Sequence, residues 1–138
     1  MSQENVELHI KALDAVNRRD LDALLALMDP DVEAVSALVA IEGGYHGHIG
    51  MQRWWENLLA AFPDFTIEVD EVRDFGDVTV ASLRNRGHGA DTDTPFEQPV
   101  WQANRWQHGT CIWWRTVRTE AEALEAVGLS EEDARPDS

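Results

Sequence analysis

The chain is poor in positive charge, in cysteine and in long apolar runs. Its 138 residues carry 11 Lys and Arg against 26 Asp and Glu, a formal net charge of −15. Nucleic-acid phosphates need clustered cations, so this balance argues against a nucleic-acid partner. It equally disfavours an anionic membrane surface. The single cysteine, Cys111, rules out an internal disulfide or a multi-cysteine zinc centre, and its apolar neighbours point to a buried, unreactive thiol. No stretch approaches the roughly 18 consecutive apolar residues of a membrane span. The first ten residues, MSQENVELHI, have neither the basic region nor the apolar run of a signal peptide. A soluble, cytoplasmic protein is expected. No G-x-S-x-G occurs, and Cys111 has no His–Asp company in sequence, so no nucleophile arrangement is visible.

What is present is a core. Apolar residues make up 43% of the chain, enough for one globular domain, expected over residues 1–129 with an acidic, frayed tail at 130–138. Ser2 is placed to cap a helix whose apolar face is Val6, Ile10, Leu13 and Val16. Asp20 caps a second, with Leu21, Leu24, Leu25 and Met28, ended by Asp29-Pro30 because the residue before proline avoids helical geometry. Residues 32–41, VEAVSALVAI, read as an extended segment. Met51, Trp54, Trp55, Leu58, Leu59 and Phe62 form one broad stripe on a third helix, stopped by Pro63.

From Phe65 the period falls to two, and strands are expected near 65–70, 77–88, 98–107 and 110–118, the last two joined by a tight turn at Gln107-His108-Gly109. The segment 89–99, with two prolines, reads as a polar loop. A short helix at 120–128 ends on Gly128. Helices followed by a run of strands give an α+β domain. The expected form is a cone-shaped, curved antiparallel sheet covered by three helices, with a pocket at its mouth.

Three stretches, NRRDLDALLALMDPDVE, YHGHIGMQRWWENL and EALEAVGL, resemble the SnoaL-like branch of the nuclear transport factor 2-like superfamily. The resemblance runs from about residue 3 to residue 129. It implies a cone-shaped (cystatin-like) roll, a homodimer, a mostly apolar cavity and no metal or cofactor. Members include polyketide cyclases, ketosteroid isomerases, epoxide hydrolases, dehydratases and proteins without catalysis, so the fold does not fix the function. The isomerases' phenolic donor, general base and second acid fall near Ala12, Ser36 and Gln102, none of which can do the original job. Val117 and Thr119 stand where relatives carry Tyr and Asp, and Asn104 where Trp is common.

Several constellations remain open. His46 and His48 form a His-x-His pair that on a strand can chelate zinc. A third ligand would have to come from Glu42, His88 or His108, and no spacing supports that choice. The alternatives are rim hydrogen bonding or a plain glycine-jointed loop, and no metal is expected. Glu33, early in its strand, is the best-placed acid, so His46, His48 and Glu33 are the acid/base candidates if there is catalysis. Alternation, together with the family's geometry, puts Gln102, Asn104, Trp114 and Thr116 on a ligand-facing side. Ser36, Trp54 and Trp55 complete the candidate pocket, although Trp54 and Trp55 diverge by roughly 100° on their helix. The opposite side collects Trp101, Arg105, Trp113 and Arg115, rich in possible cation–π contacts and assigned to a homodimer through the sheet face. Three functions stay open: cofactor-free acid/base chemistry on a small, mostly apolar organic molecule, non-catalytic binding or sensing of such a molecule, and a structural dimerisation module with a collapsed pocket.

Overall fold

A computed structural model describes residues 3–130. Helix α1 (Gln3–Asn17) and helix α2 (Leu21–Ala26) lead into strand β1 (Met28–Val35), then β2 (Tyr45–His46), helix α3 (Gly47–Ala61), strands β3 (Thr66–Asp74), β4 (Val78–His88), β5 (Pro95–Gln107) and β6 (Thr110–Val117), and helix α4 (Glu120–Ala126). The strands form one six-stranded sheet in the order β2-β1-β6-β5-β4-β3. The expected helix cap at Ser2 and all but the first residue of the expected tail lie outside the described residues.

The cone is not there. The sheet is open, not curled or closed: β2 and β3 are its two ends and each has one neighbour. It is also mixed, because β1 runs parallel to β6 while every other pair is antiparallel. A parallel pair needs a long crossover between its strands, and here that crossover is the intervening chain from β2 to β5. The described residues hold four helices rather than three. Helices α1, α2 and α3 share one face, and α4 sits on the other, where Ala123, Leu124 and Val127 pack with Val78, Val80 and Ala103.

Local chemistry explains the remaining differences. On α1 the buried face is Val6, His9, Ala12, Leu13, Ala15 and Val16, so it turns toward His9 and leaves Ile10 46% exposed. Asp20 caps α2 as expected, its Oδ1 accepting from Ala23 N at 3.0 Å. The helix stops at Ala26, and Met28, Asp29 and Pro30 already belong to β1. Pro30 is tolerated there because the β1–β6 register shifts between Met28 and Glu33. The extended reading of 32–41 holds only to Val35. The expected polar loop 89–99 is shorter than that, running over 89–94, since β5 starts at Pro95. Pro95 and Pro99 lie on the part of β5 beyond its last pairing with β6, Trp101 opposite Val117, so this stretch has one neighbour only.

His108 and Gly109, both at positive φ (51° and 81°), make the two-residue hairpin turn between β5 and β6. Gly128, at φ 77°, ends α4 with Leu129 N bonded to Leu124 O at 2.8 Å and Gly128 N to Glu125 O at 3.1 Å, the left-handed helix stop expected of glycine. No helix among the described residues is long and apolar enough to cross a membrane.

Candidate functional site

A cavity of about 40 Å³ lies between the sheet and α1, α2 and α3. Each wall follows from a periodicity. Ala12, Leu13 and Val16 come from the buried stripe of α1, and Met51, Trp54 and Leu58 from that of α3. Alternate strand positions supply the polar groups: Asn85 from β4, Gln102 and Asn104 from β5, Trp114 and Thr116 from β6. Pairing sets Gln102 beside Thr116 and Asn104 beside Trp114. Ser36, just past β1, completes the lining on that side. Trp54 and Trp114 meet edge to face, with centroids 5.2 Å apart at 72°, a favoured aromatic geometry.

The polar atoms of this wall divide into committed and free. Thr116 Oγ1 accepts from Ala37 N at 2.8 Å, and Ser36 Oγ accepts from Val39 N at 3.3 Å, so both hydroxyls hold the turn after β1. Trp114 Nε1 donates to Met51 Sδ at 3.3 Å. Trp54 Nε1 and Asn104 Oδ1 are buried without a partner. An unmade bond at a buried polar atom costs about 1–3 kcal/mol, so two such atoms on residues lining one cavity call for a functional explanation. The lining contains no Asp, Glu, His, Lys, Arg, Cys or Tyr.

Behind the wall stands a histidine that sequence reasoning missed. His9 is fully buried. Its Nδ1 lies 2.7 Å from Thr79 Oγ1 and its Nε2 2.8 Å from Gln102 Oε1. Trp106 Nε1 donates to the same Thr79 hydroxyl at 2.8 Å. Burial, only partly offset by the Gln102 bond, pushes the His9 pKa down to about 4. The signal was present in sequence, since 6, 9, 13 and 16 fit the helical period as well as 6, 10, 13 and 16 do. Asn85 was missed too, although alternation with Arg84 and Arg86 would have pointed it inward.

The acid/base candidates are elsewhere. Glu33 and His46 pair across β1 and β2 at the sheet's edge. They sit 3.7 Å apart with side chains 63% and 65% exposed, and neither lines the cavity. His46 Nε2 contacts Gly43 O at 2.8 Å. His48 Nε2 contacts Met28 O at 2.9 Å, which ties the first turn of α3 to β1. The two rings are thus held by different backbone carbonyls. Among the described residues no group of three or more His, Cys, Asp or Glu is placed to hold a metal ion. The glycines beside them serve the turn. A Cβ on Gly44, at φ 75°, would stand 2.7 Å from Ala34 O, and one on Gly50 would stand 3.0 Å from the Tyr45 carbonyl carbon. Trp55 is half-buried, packs at the flank of α3 and is not among the cavity residues.

The opposite face of the sheet carries charge. Arg84 faces Asp70 and Glu97 at 3.4 and 3.7 Å, and Arg86 faces Glu68 and Glu97 at 3.1 and 3.4 Å. Arg105 and Arg115 stack on Trp113 at 5.8 and 5.4 Å. Helix α4 packs on this face, with Trp101, Trp113 and Val117 against its apolar side. Cys111 is buried, and burial raises its thiol pKa to about 12.

The family model described as SnoaL-like domain matches residues 10–114. A nuclear transport factor 2-like protein of unknown function from Burkholderia pseudomallei superposes with a TM-score of 0.76 at 18% identity, covering 91% of this chain and 98% of its own. A putative SnoaL-like polyketide cyclase from Jannaschia sp. CCS1 gives 0.75 at 18% identity, covering 91% of each chain. IdmH, a putative polyketide cyclase from Streptomyces antibioticus, gives 0.70 at 22% identity, covering 89% of this chain and 97% of its own. At these identities the likeness is one of fold. No curated protein matches the chain.

Proposed function

Because this chain belongs to the SnoaL-like domain family of the nuclear transport factor 2-like superfamily, we propose that it binds a small, neutral, mostly apolar organic molecule in the cavity under α1 and α3. The observation that carries this reading is the lining itself: aromatic and aliphatic side chains, three neutral amides and no ionisable group. Such a wall recognises by shape and by a few hydrogen bonds. Burying an unpaired carboxylate or ammonium against it would cost several kcal/mol. The free Trp54 Nε1–H is a donor for the ligand and Asn104 supplies an amide.

The role is positioning rather than proton transfer, since Glu33, His46 and His48 stand outside the wall. At about 40 Å³ the cavity holds a few water-sized occupants, so a ring-sized ligand requires α3 or the turn at residues 36–39 to yield. The same reading includes a homodimer through the other face, where α4 already packs against part of the surface formed by Trp101, Arg105, Trp113 and Arg115.

Calorimetry with phenol and benzoate tests the reading, since both are single rings of similar size. Phenol is expected to bind about tenfold or more tightly than benzoate, and Asn104→Leu is expected to weaken it. Equal or tighter binding of benzoate contradicts a neutral site. Failure of phenol to bind at all favours a collapsed pocket.

A further inference from the structure

We infer that His9 is a positioning residue: through a single-file chain of hydrogen bonds it fixes which end of the Gln102 amide faces the cavity, so that the site selects a ligand with a hydrogen-bond acceptor. This rests on the binding reading above and goes beyond it by naming the group the ligand must present.

The chain of bonds has one self-consistent direction. An indole N–H only donates, so Trp106 Nε1 donates to Thr79 Oγ1. Thr79 is fully buried, and its hydroxyl has only one other contact, His9 Nδ1 at 2.7 Å. The hydroxyl hydrogen therefore points to Nδ1, which accepts. A neutral imidazole that accepts at Nδ1 carries its proton on Nε2. Nε2–H then donates to Gln102 at 2.8 Å, and only the carbonyl Oε1 can accept it. The amide end left without a protein partner is the NH2, on a residue of the cavity wall. The sequence of donors and acceptors from Trp106 onward thus fixes the orientation of the amide.

The alternative orientation breaks the chain. If the Gln102 NH2 faced His9, Nε2 would have to accept and Nδ1 would carry the proton. Nδ1–H and Trp106 Nε1–H would then both donate to Thr79, leaving the buried hydroxyl hydrogen without an acceptor. Burial also keeps His9 neutral, with a pKa of about 4, and a neutral ring is what allows one nitrogen to accept. With Gln102 on the sheet and Trp54, whose Nε1–H is unpartnered, on α3, both lining the cavity, the site offers two donors to a ligand carbonyl or ether oxygen.

Two experiments test this. Imidazole 15N NMR at pH 7 is expected to show His9 protonated on Nε2 and bare on Nδ1. A ring protonated on Nδ1, or on both nitrogens, overturns the proposal. The second compares binding of cyclohexanone with methylenecyclohexane, which has nearly the same shape and no acceptor. The wild-type chain is expected to favour the ketone about five- to tenfold, the worth of one net hydrogen bond. Thr79→Val removes the hydroxyl that fixes the ring and should shrink that preference, as should Gln102→Leu, while Thr79→Ser keeps the hydroxyl and should retain it. A preference unchanged in Thr79→Val contradicts the relay, because a merely structural threonine would alter both affinities together. If neither compound binds, the binding reading fails, and the ring's protonation alone decides the orientation of Gln102.

Discussion

On its helix-covered side the sheet presents Asn85, Gln102, Asn104, Trp114 and Thr116, neutral groups around a small cavity. On the other side the same strands present Arg84, Arg86, Glu97, Arg105 and Arg115, paired with acids or stacked on Trp113. Neighbouring residues along one strand thus live under different rules. Inside, an unmade hydrogen bond is expensive and a charge more so. Outside, water screens both, and an exposed ion pair is worth about 0–1 kcal/mol. A net charge of −15 is therefore compatible with a neutral cavity: the ion pairs stand where solvent can reach them, and the cavity lining carries no ionisable group.

That contrast can be broken from the inside most severely. Asn104→Asp puts a carboxylate at a position only 2% exposed, and it should cost on the order of 3 kcal/mol at neutral pH, measured by urea unfolding. The loss should shrink as acid neutralises the new group.

Next comes the buried histidine. The native His9 pKa of about 4 lies below the unfolded 6.5, so between these values the unfolded chain holds a proton the native chain does not. Stability from this group is complete above about pH 6.5 and falls as the pH drops toward 4, by on the order of 3 kcal/mol in all. Subtracting the same curve for His9→Gln isolates it from the many carboxylates.

The outer face should respond weakly. Arg86→Ala, though it breaks two ion pairs, is expected to change stability by about 1 kcal/mol or less, and less still in high salt. The smallest response belongs to the exposed pair His88 and Asp64, whose atoms approach to 2.6 Å. Each raises or lowers the other's pKa in the direction that favours the ion pair: His88 up, by its bond to Asp64, and Asp64 down, by its bond to His88. Its contribution is lost below the Asp64 pKa and again above the His88 pKa, and Asp64→Asn should remove only that shallow pH dependence.

How much of this was legible beforehand depended on distance along the chain. Strand alternation is local and groups Gln102 with Asn104 and Trp114 with Thr116, apart from Trp101, Arg105, Trp113 and Arg115; that the two pairs share the cavity side was implied by the family resemblance. The two-residue turn at His108-Gly109 and the helix stop at Gly128 are likewise local backbone chemistry. The sheet's form was not legible. Nothing near Glu33 announces Trp113 as a parallel neighbour, and the order of helices and strands, from which a cone was expected, does not fix how a sheet curls. His9 was overlooked because an isoleucine beside it made an equally good stripe. Its partners, Thr79 and Gln102, are 70 and 93 residues away. His46 and His48 drew attention as a pair in sequence, yet folding gives each its own carbonyl.

The most direct test of the neutral inner cavity is a titration with cyclohexanone followed through the six tryptophan indole N–H signals in a 1H–15N spectrum. The account predicts that Trp54 and Trp114, on the cavity wall, shift saturably while Trp101 and Trp113, on the outer face, stay in place. Shifts confined to Trp101 and Trp113 would contradict it and move the binding surface to the charged side of the sheet.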